Sequence, residues 1–238
     1  MKQPRNLDRS DRKPFFRFIK RILRCFVKKT KVIGLESDFQ DGAIYICNHV
    51  GATAPLKLEL YFPRRFRFWG TYEMTFFFKE RWKYLAHVYF YQKKHNSKFV
   101  SLIKATLACP FIGMFYKGMN LIPTYADARI LGTIHQSVEY LNDNNSIVIF
   151  PENSSDGYHD VLTEYYAGFL FLAKHYHRQT KKKIRIYNMY YCKKSNSLFY
   201  DASFTIDQLL KDGRNIREIA NDFKDRANDL AKVSYHQV

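Results

Sequence analysis

Tyr45-Ile46-Cys47-Asn48-His49 and Ile147-Val148-Ile149-Phe150-Pro151-Glu152-Asn153-Ser154-Ser155 are the two stretches that decide the fold. Each is a short apolar run, rich in β-branched residues, that stops at a polar cluster, the pattern of a buried strand. In an open α/β sheet, ligands bind where the carboxyl ends of strands give way to loops. Two such strands in one parallel sheet bring His49 and Glu152 to the same edge, facing one crevice.

The flanking sequence supplies the rest of such a sheet. Lys31-Val32-Ile33-Gly34-Leu35 reads as a strand before a turn at Asp41-Gly42, and Phe66-Arg67-Phe68-Trp69 as another, followed by Gly70-Thr71-Tyr72-Glu73. A helix is expected from Pro55 to Phe62, stopped by Pro63. Residues 99–117 read as helical with an interruption at Pro110. Asp127 is placed to cap a helix carrying Ile130, Leu131, Ile134, Val138 and Leu141 on one face, which ends in the turn signal Asn142-Asp143-Asn144-Asn145. Thr163 to Tyr176 reads as a helix. Ile184–Cys192 and Leu198–Phe204 read as strands that pair through a turn at 193–197. Asn215 and Glu218 form a capping-box pair before a stripe of Ile216, Ala220, Phe223, Ala227 and Leu230. Strands alternating with helices predict an α/β fold with a mostly parallel central sheet flanked by helices.

The chain has 238 residues, enough for one such domain, and 46% hydrophobic residues, enough for a core. Its formal net charge of +17 suggests an anionic partner, a lipid surface, a phosphorylated substrate or nucleic acid, the alternative being a solvated basic surface. Between Pro14 and Lys29, Phe15, Phe18, Ile19, Ile22, Leu23 and Phe26 recur at helical spacing among Arg17, Lys20, Arg21, Arg24, Lys28 and Lys29. This is a basic amphipathic helix suited to an anionic membrane surface, so residues 1–30 read as a membrane-binding segment and 31–238 as the main domain. In 76–104, aromatic residues interleave with Lys and Arg, which fits stacking on single-stranded nucleic acid or a membrane-interface belt. Without an RNA-binding signature the lipid reading is preferred, and no nucleic acid is expected.

Cys25, Cys47, Cys109 and Cys192 are far apart and form neither a CxxC pair nor a disulfide framework, which fits a reduced, cytoplasmic setting. The amino-terminal region lacks the apolar core and cleavage site of a signal peptide, and no run has the roughly 18–20 apolar residues needed to span a bilayer. The localisation expected is cytoplasmic, peripheral on the inner face of the membrane. His87, His95, His135, His159, His175 and His177 show no ligand spacing, and there is no GxGxxG or P-loop, so no metal or other cofactor is expected.

Asn48-His49 after a strand resembles the start of the NHxxxxD motif of the glycerol-phosphate and lysophosphatidate acyltransferase superfamily. Phe150-Pro151-Glu152 resembles the start of its FPEG motif. The resemblance covers roughly residues 30–205, with the two motifs about 100 residues apart. Ala54 stands where the family has its Asp, Asn153 where it has Gly, and Thr124 near the position of its phosphate-binding Arg, with Arg129 five residues on.

The resemblance implies transfer of a fatty acyl group from an acyl thioester, of coenzyme A or acyl carrier protein, to a hydroxyl of a lysophospholipid or related lipid or polyol acceptor. His49 would be the general base. Glu152, with Asn48, Thr124, Asn153 and Ser154, would bind substrate. Because Ala54 cannot orient the imidazole, Glu73, Glu59, Asp156 or a backbone carbonyl is needed as its partner. Glu73 is the first choice, since it follows a neighbouring strand. Two alternatives stand beside the enzyme: a non-catalytic lipid-binding relative, and a basic nucleic-acid-binding protein.

Overall fold

The strand Ile44–Cys47 (β2) has every residue buried, and it sits in the middle of the sheet that organises the chain. The computed structural model describes residues 12–34, 39–75, 77–153, 157–211 and 213–236. Among these, the strands are Lys31–Gly34 (β1), β2, Phe66–Thr71 (β3), Ile122–Thr124 (β4), Ser146–Ile149 (β5), Arg185–Cys192 (β6), Ser197–Tyr200 (β7) and Phe204–Thr205 (β8). Their order is β1-β7-β6-β2-β5-β3-β4, with β8 on β6. The run from β6 through β2, β5 and β3 to β4 is parallel, while β7 and β8 are antiparallel to β6. The fold is α/β, with a mostly parallel mixed sheet flanked by helices.

Two-residue alternation explains the layering. Ile44, Ile46, Ile147, Ile149, Ile186 and Tyr190 point into one core, shared with the helices Ile130–Asn142 (α6), Gly168–Thr180 (α7) and Ile216–His236 (α9). Tyr45, Cys47, Val148, Tyr187, Met189 and Tyr191 point into the other, shared with Pro14–Phe26 (α1) and Thr53–Tyr61 (α2). A third, smaller core lies among Tyr72–Thr75 (α3), Phe78–Lys83 (α4), the π-helix Tyr84–Lys93 and the helix Lys98–Met119 (α5). The last of the named helices, Ile206–Leu210 (α8), closes the first core through Ile206.

Three expectations change. Residues 12–30 do not end at a break in packing. Arg12 forms a buried ion pair with Glu59 at 2.9 Å, Lys20 reaches the same carboxylate at 2.8 Å, and Arg24 donates to the carbonyl of Leu60. The residue of α1 that enters the core is Phe16, against Gly118 and Phe115, whereas Phe15, Phe18, Ile22 and Phe26 of the apolar stripe face outward. Second, α5 runs through Pro110, because Ala105, Cys109 and Gly113 pack continuously on its inner side. Third, the helix expected from Thr163 begins only at Gly168. Residues 164–166 are held extended against 151–153 by Asn153 N–H to Glu164 O (3.1 Å) and Tyr166 N–H to Pro151 O (2.7 Å). The capping box at Asn215 and Glu218 forms as expected, with reciprocal bonds of 3.1 and 2.9 Å.

Candidate functional site

β2 and β5 are adjacent and parallel, with Ile46 opposite Ile149, so the loops after them leave the sheet side by side. His49 and Glu152 meet there: the backbone N–H of His49 donates to Glu152 Oε2 at 2.8 Å. Glu152 is itself fixed by a bridge to Tyr165. Its carboxyl is buried, which raises its pKa above the ordinary carboxylate value; the His49 N–H and the nearby His159 and Lys93 pull the other way.

The His49 ring lies between two aromatics. It packs edge-on to Phe150 (centroids 4.7 Å) and stacks on Tyr158 (5.1 Å, 21° between planes). The residue keeps some exposure, but its Nδ1 is fully covered and has no hydrogen-bond partner among the described residues. Burial lowers the imidazole pKa to about 4, with backbone at His49 and Gly51 acting in the opposite sense. At neutral pH the ring is therefore uncharged, able to accept a proton but only weakly basic. The loop can turn here because Gly51 sits at φ +55, a conformation that side-chain-bearing residues rarely adopt.

The cleft beside these residues is small, about 50 Å³, and is lined by His49, Glu152, Tyr158, His159, Tyr190 and the turn at Lys193 and Lys194. Lys93 and Lys94 approach from the end of the π-helix, their ammonium groups 5.5 and 5.6 Å from the centre of the Tyr158 ring. Lys193 and Lys194 in the lining, with Lys93 and Lys94 over Tyr158, outnumber the carboxyls of Glu152 and Asp160 beside a neutral imidazole, a setting suited to an anionic ligand.

Asn48 has a different task from the one expected. Its carboxamide donates to Tyr191 O (3.1 Å) and accepts from Tyr191 N–H (2.7 Å), so both ends are spent joining β2 to β6. Asn153, next after Glu152, does not line the cleft and donates through its Nδ2 to Glu164 at 2.7 Å. Ser154 lies outside the described residues, as does Asp156. Glu73 follows β3, two strands from β2 and so about 10 Å away across the sheet. Its carboxylate accepts from the Thr71 hydroxyl, and it is not the partner of His49 Nδ1. Glu59 is committed to Arg12 and Lys20. Thr124 ends β4, three strands and about 15 Å from β2. Beyond it, Arg129 pairs with Asp127 and lies over the rings of Tyr72 and Tyr125.

Ala54, on the first turn of α2, is fully buried. The imidazole is packed between Phe150 and Tyr158, with the backbone of His49 and Gly51 close to it. Tyr158, Lys193 and Lys194 carried no motif that marked them, and Lys93 and Lys94 were legible only as part of a basic-aromatic stretch. Tyr165, within a segment that reads as helical, is buried with its hydroxyl unpartnered among the described residues. No protein-family model matches the chain, and no curated protein matches it in sequence.

Proposed function

We propose that the chain is an acyltransferase, glycerol-phosphate acyltransferase-like in fold, acting at the cytoplasmic surface of a membrane. It moves a fatty acyl group from a thioester of coenzyme A or acyl carrier protein to a hydroxyl of a lysophospholipid or related lipid or polyol acceptor. The observation that carries this reading is the 2.8 Å bond from the His49 N–H to Glu152, which joins two motif residues 103 positions apart in one cleft. His49, uncharged at neutral pH, takes the proton of the acceptor hydroxyl as its oxygen attacks the thioester carbonyl. A C–O bond forms, the C–S bond breaks, and the proton passes to the departing thiolate. The lysines at the cleft mouth hold the anionic part of donor or acceptor, and Glu152 fixes the histidine loop.

A second reading, a lipid-binding relative without catalysis, is favoured by one observation: Nδ1 of His49 has no partner among the described residues. In a serine-protease triad, loss of the carboxylate that orients the histidine lowers turnover about 10⁴-fold. The test is an acyl-transfer assay with coenzyme A and carrier-protein thioesters against a panel of lysophospholipid and polyol acceptors. Transfer by the wild type that is lost in His49→Ala is expected. Transfer that survives His49→Ala overturns the mechanism, and no transfer over the whole panel favours the binding relative.

A further inference from the structure

The side of the molecule built by α1, α4 and α5 is apolar where a water-facing surface is expected to be polar. α5 is attached to the domain by small or flat groups: Ser101, Ala105, Cys109 and Gly113 recur every four residues and are buried. The opposite side of the same helix presents Phe99, Ile103, Leu107, Phe111 and Met114, and Phe111 is 70% exposed. Phe15 and Phe18 of α1, with Phe77 and Phe78 at the start of α4, are also exposed. Lys13, Lys79, Lys98, Lys104 and Lys117 are exposed around these side chains. A helix with one face packed on protein and the other bare is a docking surface, and the basic border here complements anionic lipid.

Within this face is a groove of about 460 Å³ between α1, α4 and α5. Its walls include Phe15, Phe78, Pro110 and Met114, with Lys13 and Lys117 beside them and Arg81 in the wall. Arg81 is only 4% exposed. Its Nε donates to Met74 O at 3.0 Å, but its Nη2 is buried with no hydrogen-bond partner among the described residues. The guanidinium is accommodated by Gly113, where a Cβ would come within 2.1 Å of Nη1. A buried guanidinium without an anion is strongly disfavoured, and an apolar groove with basic residues at its mouth is where an amphiphilic anion supplies one.

We infer that this groove binds an anionic phospholipid of the bilayer, its phosphate held by Arg81 with Lys13 and Lys117, and its chains running out past Phe15, Phe78 and Met114. The inference rests on the membrane part of the proposed function and not on acyl transfer, so it survives a chain that proves catalytically inert.

The experiment uses the full chain with vesicles of phosphatidylcholine, with and without phosphatidylglycerol, and with inorganic phosphate as a soluble competitor. The wild type is expected to prefer the phosphatidylglycerol vesicles, with inorganic phosphate displacing it poorly. Arg81→Met should lower that preference on the order of 10-fold while leaving the melting temperature equal or higher, because it removes an unpaired buried charge. Lys13→Gln/Lys117→Gln, at exposed positions, should also lower it. Leu107→Asp/Phe111→Asp should weaken binding to both vesicle types on the order of 100-fold, whereas Leu131→Asp on α6 should not. A lower melting temperature for Arg81→Met with unchanged lipid preference makes Arg81 structural and overturns the proposal. Full displacement by inorganic phosphate overturns it in favour of a free-anion site. Self-association without lipid that Leu107→Asp/Phe111→Asp abolishes overturns it in favour of a second copy on this face.

Discussion

Replacing Arg12 by Ala removes the main counter-charge of Glu59 and tests whether the amino-terminal helix is an appendage or part of the fold. The side chains of Arg12 and Glu59 are 2% and 1% exposed, so neither is solvated by water. Arg12 makes two bonds to the carboxylate, at 3.2 and 2.9 Å, and a third to Phe66 O at 3.1 Å. Lys20 remains at 2.8 Å, which moderates the loss. Breaking a buried pair from one side costs about 3–5 kcal/mol. For a chain of this size each kcal/mol lowers the melting temperature by about 2–4 °C, so Arg12→Ala should melt roughly 6–20 °C below the wild type. Circular dichroism during a thermal ramp reads this directly. The double variant Arg12→Met/Glu59→Met, which leaves only the partly exposed Lys20 without its carboxylate, should recover more than half of the loss. Melting of Arg12→Ala within about 2 °C of the wild type would refute the argument, because a loss that small corresponds to under about 1 kcal/mol. Deleting residues 1–30 removes both Arg12 and Lys20 and is expected to destabilise the domain, so membrane assays belong with the full chain.

Three further outcomes are expected. The His49 imidazole, followed by NMR, should titrate near the value of about 4 set by its burial rather than near 6.5. Between those values the unfolded chain binds the extra proton, so stability should fall by up to about 3 kcal/mol as pH drops from 7 to below 4; a midpoint near 6.5 contradicts this. Asn48→Ala breaks both bonds to Tyr191 and leaves the buried Tyr191 N–H unsatisfied, costing about 2–3 kcal/mol in denaturant melts; a loss below about 0.5 kcal/mol would show that the clamp is redundant. Ala54→Asp should raise the His49 midpoint above that of the wild type by giving Nδ1 an anionic partner. An unchanged midpoint would show that α2 does not aim position 54 at the ring.

The central strands were legible because they are short, β-branched and bounded by polar residues, and the alternation of Ile44, Tyr45, Ile46 and Cys47 between two cores follows from the pleat alone. The meeting of His49 with Glu152 was legible because parallel neighbours end on the same edge. Glu73 was misplaced because a chain does not announce its strand order: β5 is inserted between β2 and β3, and sequence neighbours are not sheet neighbours. The start of α7 was misjudged because Tyr165 and Tyr166 are bound to the Glu152 loop, a contact that overrides local helix preference. In α1 the apolar periodicity marked the outward stripe, whereas the buried residue is Phe16, one step away, where Gly118 leaves room.

The clamp at Asn48 also has a mechanical consequence. It straps the end of β2 to β6 at Tyr191, and β6 runs on through Cys192 into the turn that carries Lys193 and Lys194. These two bonds couple the histidine loop to the lysine turn. An anion caught by those lysines damps fluctuations of the backbone that holds the imidazole. Slower amide hydrogen exchange at Tyr191 in the presence of inorganic phosphate would record that stiffening, even in a chain that never turns over a substrate.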